Sequence, residues 1–208
     1  MPVEIWLAFV VASTVLLAIP GPTVMLVVSY AIGQGRHTGW ATVPGVTLGD
    51  FTAMTISLLG AGAILAASAT LFTALKLAGA AYLIWLGVKL WRSNPTAEDL
   101  NGRAKGRGRW AMFGNAFMVT ALNPKGIVFF IAFVPQFVVT ERPLGPQFVI
   151  LEATFLFLAA INVALWAILA GEMRARFQSP AMMRITSRIG GCFLIGAGFL
   201  TAAVRRAS

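Results

Sequence analysis

The sequence predicts an all-α integral membrane protein, with six transmembrane helices arranged as two inverted three-helix repeats. Three observations carry that prediction. Of its 208 residues, 58% are hydrophobic and only 11% charged, with a mean hydropathy of +0.82. A soluble domain carries about 25% charged residues, so this chain cannot cover itself with a water-facing surface. Uncharged or nearly uncharged runs long enough to cross a bilayer recur along it. Matching interruptions recur in its two halves. A soluble globular enzyme, a disordered chain and a secreted disulfide scaffold are excluded, the last because Cys192 is the single cysteine. What remains is one compact membrane domain spanning 1–208.

The spans follow from the charges. No charged residue lies between Ile5 and Gly35, and from His37 to Val88 the only charges are Asp50 and Lys76. Lys125 is the only charge from Trp110 to Thr140, and Ala153–Gly171 and Ile189–Val204 carry none. At about 20 apolar residues per crossing, the expected spans are roughly 5–30, 40–66, 70–91, 110–139, 149–171 and 187–205. The sixth has the shortest uncharged stretch. The opening Met1-Pro2-Val3-Glu4 lacks the basic start of a signal peptide and carries an acid instead, so the first run is read as a retained span.

Charge placement gives orientation. The basic loop at 92–109, together with Lys89, the 5–6 loop (Arg174, Arg176, Arg184, Arg188) and Arg36, puts eleven basic residues on one side against three (Arg142, Arg205, Arg206) on the other. Loops rich in Lys and Arg stay in the cytoplasm, so a multi-pass protein with cytoplasmic basic loops is expected. The net charge of +9 and the run Arg103-Ala-Lys-Gly-Arg-Gly-Arg109 then read as an anchor against anionic lipid, not as a nucleic-acid patch. Trp6, Trp40, Trp91 and Trp110 fall near span ends, where amphipathic rings prefer the interface. Trp85 and Trp166 fall inside spans and are expected to pack.

The chain divides within the basic loop into halves of about 1–100 and 108–208, each with three expected spans. Pro22 and Pro124 lie 102 residues apart, each interrupting the first span of its half. In the third spans, Gly79-Ala-Ala-Tyr82-Leu-Ile-Trp-Leu-Gly87 and Gly190-Gly-Cys-Phe193-Leu-Ile-Gly-Ala-Gly198 both read G-x-x-aromatic-L-I-x-x-G. Three spans per half oppose the halves in the bilayer, a transporter architecture whose substrate site lies where interrupted spans meet.

The interruptions supply chemistry. Proline within a helix removes a backbone donor and clashes with the preceding turn, and Pro20-Gly21-Pro22 places two such defects around a flexible residue. Freed backbone groups in hydrocarbon are tolerated only against protein or a watery cavity; the hydroxyl of Thr23 could satisfy one of them. In Asn123-Pro124-Lys125 the asparagine is a favoured N-cap and the proline a favoured first helical residue. This reads as the start of a half-helix inside the membrane, whose free N–H groups suit a carboxylate, with the charge of Lys125 beside them.

A charge within the membrane costs at least ~2.5 kcal/mol on insertion scales and is a functional candidate. Asp50, in Gly45-Val-Thr47-Leu-Gly49-Asp50, lies about ten residues into span 2, ~15 Å deep at 1.5 Å per residue. A carboxylate balanced there between desolvation and a nearby cation can bind and release a proton; a static ion pair with Lys125 is the rival reading. Lys76 and Glu152 come near span ends and are expected to be structural, and His37 to be solvated beside Arg36. Asn115 and Asn162 are expected to make helix-to-helix hydrogen bonds, and Gly190-Gly191 and Gly196-Ala-Gly198 to allow close helix packing. No H-E-x-x-H, C-x-x-C, G-x-S-x-G or P-loop occurs, so no cofactor, metal or ATP use is expected, and work must come from ion gradients.

Taken together these residues resemble the LysE/RhtB family of bacterial amino-acid exporters along nearly the whole chain. The carriers are Pro20-Gly21-Pro22, then Gly45-x-x-Leu48-Gly49-Asp50, then Leu75-Lys-Leu-Ala-Gly79-Ala-Ala-Tyr82-Leu-x-Trp85-Leu-Gly87. Phe113-Gly114, Asn123-Pro124-Lys125, Phe129-Phe130 and Pro135-Gln136-Phe137 follow in the second half. The family pattern often has Asn where this chain has Thr23. The resemblance implies a small inner-membrane protein, not an enzyme, that expels amino acids or related metabolites by proton antiport. It suggests Asp50, the Pro-Gly-Pro break and Asn-Pro-Lys as central positions. The expected partners are a small amino-acid-like substrate, protons and the lipid bilayer, with no nucleic acid; a homodimer is left open. The rivals are a transporter or channel for inorganic ions or other small solutes, and a non-transport membrane scaffold or enzyme. An enzyme would need a second reactive group near Asp50, and no His or Cys is placed there.

Overall fold

The computed structural model describes residues 1–92, 108–139, 141–172 and 180–203. These form eight α-helices and, among the described residues, no strand. α1 (Val3–Ala18) stops because Ile19 precedes a proline and is driven to an extended conformation (φ −76, ψ 117). Gly21 is extended as well, and Pro22 opens α2 (Pro22–Gln34) as its first residue. The chain bends by 52° at this break. Gly35, with φ +92, ends α2 in a conformation that L side chains rarely adopt. A short 3₁₀ turn, Arg36–Thr38, then leads into α3 (Gly39–Ala67). Ser68 Oγ accepts the N–H of Leu71 at 3.2 Å and so caps α4 (Ala69–Arg92).

The second half repeats the sequence of events. α5 (Arg109–Ala121) ends at Leu122, and α6 (Pro124–Val128) begins behind an Asn123 cap. The chain continues as a π turn, Phe129–Phe133, and a 3₁₀ turn, Val134–Phe137. The buried side chain of Gln147 closes the next loop: it accepts the N–H of Val139 at 2.9 Å and donates to the Val139 and Pro143 carbonyls at 2.9 and 3.1 Å. α7 (Leu144–Glu172) and α8 (Pro180–Ala203) complete the bundle.

By length and composition, four helices among the described residues can cross a membrane: Arg36–Ala63, Thr73–Arg92, Arg109–Phe137 and Leu144–Ala170. The bent pair α1 and α2 passes as a fifth, broken span. The sixth expected span corresponds to Ser187–Ala203, an apolar helix shorter than the others. Large apolar side chains lie bare on the outside of several helices, among them Leu7, Ile56, Leu59, Phe157 and Phe199, a surface matched to hydrocarbon and not to water. Trp40 and Trp110 are fully outward, at 82% and 86% exposed. Trp85 departs from the expectation of packing: it is 53% exposed, with Lys89 Nζ 5.2 Å from its ring centroid. Its helix turns that face outward, where a cation over an indole is a favourable contact. Of the basic residues that set the expected orientation, Arg103, Lys105, Arg107, Arg174, Arg176, Arg205 and Arg206 lie outside the described residues.

Small residues set the packing. A side-chain carbon on Gly45 would meet the Phe113 carbonyl at 2.6 Å, and one on Gly49 the Phe117 carbonyl at 2.8 Å, so α3 and α5 touch backbone to backbone. α4 and α8 do the same: a side-chain carbon on Gly87 would meet the Gly191 carbonyl at 2.7 Å, and one on Gly198 the Ala80 carbonyl at 2.7 Å. Without a hydrophobic drive between helices in lipid, such close approach is what holds spans together. Buried clusters fill the space between, two of them large. One is rich in phenylalanine (Phe9, Phe129, Phe130, Phe133, Phe155) and the other gathers Val27, Tyr30, Met112, Ala116 and Val163.

Candidate functional site

The two chain breaks meet. Asn123 caps α6 as its sequence promised, its side-chain oxygen accepting the Lys125 N–H at 3.1 Å. Its amide nitrogen donates at 3.2 Å to Thr23 Oγ1, in the first turn of α2, and that hydroxyl lies 3.2 Å from Thr120 Oγ1. The starts of two half-helices from different halves of the chain are thus joined side chain to side chain.

Lys125 reaches across to α1. Its ammonium donates to the Leu16 carbonyl at 3.3 Å and the Ile19 carbonyl at 3.1 Å. Pro20 brings no N–H, so the Leu16 carbonyl keeps only a tight-turn bond from the Ile19 N–H at 3.3 Å in place of its usual helical donor. The negative end of the helix dipole also favours a cation there. Gly21 makes room for the reach, since a side-chain carbon on it would lie 3.3 Å from Nζ. Lys125 therefore caps a helix of the other half and does not form a direct ion pair with Asp50. Asp50 is 8% exposed and bonds to no other described residue; across the cavity the two charges act on each other.

A cavity joins these groups. It is lined by Gly21, Thr23, Asp50, Asn123, Lys125 and Asn162, with an apolar wall that includes Leu16, Leu17, Val46, Phe155 and Val163. Its water-sized space is about 40 Å³, room for about three waters at roughly 10–15 Å³ each. Both large clusters contribute to its wall, Leu16 and Phe155 from one and Val46 and Val163 from the other. Phe129–Phe133 follows the second break, while Asn115, about two turns before that break, donates at 2.8 Å to the Tyr30 hydroxyl about two turns past the first.

Gly21, Thr23, Asp50, Asn123 and Lys125 are therefore brought together as the spacing suggested. Pro20, Pro22 and Pro124 do not line the cavity; Pro22 and Pro124 point outward and act through the backbone they bend. The α7 wall was not foreseen as part of a site. Asn162, a lone asparagine in an apolar span, was the available signal, and its amide donates to the Leu17 carbonyl at 3.0 Å, joining helices as expected. Asn115 behaves likewise, and His37 is exposed. Glu152 has a definite partner: it accepts from Thr55 Oγ1 at 2.6 Å, joining α7 to α3. Thr55→Val should lower stability in detergent by about 0.6–2 kcal/mol; an unchanged unfolding midpoint would show that the bond contributes nothing.

A helical bundle with an apolar exterior, whose broken spans meet at a small charged cavity, is built as a membrane transport protein. The family model described as LysE type translocator matches residues 14–203, and the chain belongs to that family; it is a translocator and not an enzyme. The chain is 33% identical over 207 residues to the homoserine/homoserine lactone efflux protein of Salmonella typhi, covering 100% of both chains. It is 27% identical to the leucine efflux protein of Klebsiella pneumoniae subsp. pneumoniae, covering 98% of this chain and 94% of that one. An uncharacterized membrane protein of Vibrio cholerae is 30% identical, over 99% of this chain and 100% of its own length. No solved structure matches the chain significantly.

Proposed function

We propose that the chain is a secondary exporter of amino acids or closely related small metabolites in the bacterial inner membrane, driven by proton antiport. The observation that carries this reading is the buried cavity in which Asp50, Lys125 and both chain breaks meet. In this reading Asp50 alternates between a proton and the cargo's ammonium. Lys125 and the half-helix starts at Thr23 and Asn123 receive its carboxylate, with Pro20, Gly21, Pro22 and Pro124 shaping the breaks. Of the cargoes named for two relatives, leucine and homoserine are zwitterions of this kind, while homoserine lactone carries the ammonium with its carboxyl closed as an ester. One charge crossing 100 mV is worth ~2.3 kcal/mol, enough to support a gradient of several tens-fold per proton.

The architecture in this reading is a single domain of two inverted repeats, basic loops cytoplasmic. Supporting it, α3 and α7 both have 29 residues, and α4 and α8 both have 24. If Gly79–Gly87 corresponds to Gly190–Gly198, then Gly87 maps to Gly198 and Ala80 to Gly191. The contacts Gly87–Gly191 and Gly198–Ala80 become one contact seen twice, which is how a two-fold axis pairs surfaces. At the breaks, Thr23–Asn123 and Lys125–Gly21 are related in the same way.

Inside-out vesicles test the reading, because export then appears as uptake. Labelled leucine or homoserine should accumulate, and the accumulation should vanish when a protonophore collapses the proton gradient. Uptake indifferent to the collapse would remove antiport, and absence of uptake for both would remove the cargo class.

A further inference from the structure

We propose that the Leu16 and Ile19 carbonyls, beside Asp50, are the seat for the cargo's ammonium, and that Lys125 is a tethered occupant holding that seat while the carrier is empty. The inference rests on the export reading and adds the subsite that reads the amino group. The groups at the end of α1 are all acceptors: two main-chain carbonyls at the negative end of a helix, with a carboxylate lining the same cavity. Such a set has no use for an anion. It already holds an alkylammonium, the tip of Lys125, at 3.1 and 3.3 Å. Two of that ammonium's three donors are spent on the carbonyls. A cargo ammonium carries the same three donors and can replace it bond for bond.

The exchange would favour zwitterions. When the cargo's ammonium takes the seat, Lys125 is left as a buried cation without partners, which is costly, unless an anion arrives with it. The cargo's own carboxylate is that anion. A simple amine displaces Lys125 but leaves it unpaired. A simple acid finds Lys125 still bound to α1. Only a molecule with both groups lets every charge change partner at once.

The seat can be read without transport. Lys125→Ala removes Cγ to Nζ, a fragment with the shape of propylammonium. The purified Lys125→Ala protein should bind propylammonium roughly tenfold or more tightly than wild type, the scale of a charge-assisted hydrogen bond. Thermal stabilisation or calorimetry reads the effect. Tetramethylammonium, which has no N–H, should not bind, and adding Asp50→Asn should weaken the effect. Where Lys125→Ala does not fold, Lys125→Met keeps the stem and vacates the tip alone, and the ammonium ion becomes the probe. Equal binding of these probes by variant and wild type, or equal binding of tetramethylammonium, would overturn the seat even if wild-type vesicles export leucine. Selective binding by the variants would support it, whatever the vesicles show about the driving ion.

Discussion

Asp50→Asn is expected to abolish concentrative export. Vesicles at 100 mV carrying the wild-type chain should accumulate labelled leucine or homoserine up to roughly fifty-fold for each proton exchanged, which is ~2.3 kcal/mol written as a ratio. Those carrying the variant should show no accumulation above the medium. The replacement keeps the size and a polar head group, turns one acceptor oxygen into an N–H donor, and removes the ability to ionise. Asp50 makes no hydrogen bond to another described residue, so the replacement breaks no bond between helices, and the protein should reach the membrane in normal amount. Wild-type accumulation in the variant would take Asp50 out of the proton path.

Gly87→Leu should do the opposite: disrupt the fold without changing any residue that lines the cavity. Its first added carbon would sit 2.7 Å from the Gly191 carbonyl and 2.9 Å from the Ile195 nitrogen, both backbone atoms that cannot rotate away. Overpacking costs about 1–3 kcal/mol where side chains can adjust, and here the helices themselves must separate. The expected result is little folded protein and a lowered midpoint in what remains. Gly196→Ala is the control on the facing helix α8, since nothing lies within 4 Å of the added carbon and alanine favours a helix by about 1 kcal/mol over glycine. If both variants melt alike, the contact between α4 and α8 is not what holds these spans together.

How much of this could be read from the sequence follows from the solvent. In water, hydrophobic periodicity shows which face of a helix is buried. In a bilayer both faces are apolar, and the pattern falls silent. What stayed visible were the exceptions. Prolines marked the two breaks, Asn123 before Pro124 marked a helix start, and Asp50 and Lys125 stood out as charges within spans. All of these fell where the structure needs them. The partners of those exceptions were invisible. Nothing in a linear pattern says that the Lys125 ammonium ends on the Leu16 and Ile19 carbonyls, because main-chain oxygens carry no residue identity. The α7 wall beside Phe155 and Val163 was hidden for the same reason as any apolar face, and the outward turn of Trp85 could not be told from an inward one. The glycine motif in the third spans was legible as a likeness, though not as two surfaces that touch each other.

The narrowness of the space beside Asp50 has an electrical consequence. A standing aqueous path through the bundle would let ions run down the very potential that drives export. Three waters' worth of room, with phenylalanines packed on one side and the Tyr30–Asn115 bond on another, offers no wide aqueous path through the bundle. Many copies can then sit in one membrane without discharging it.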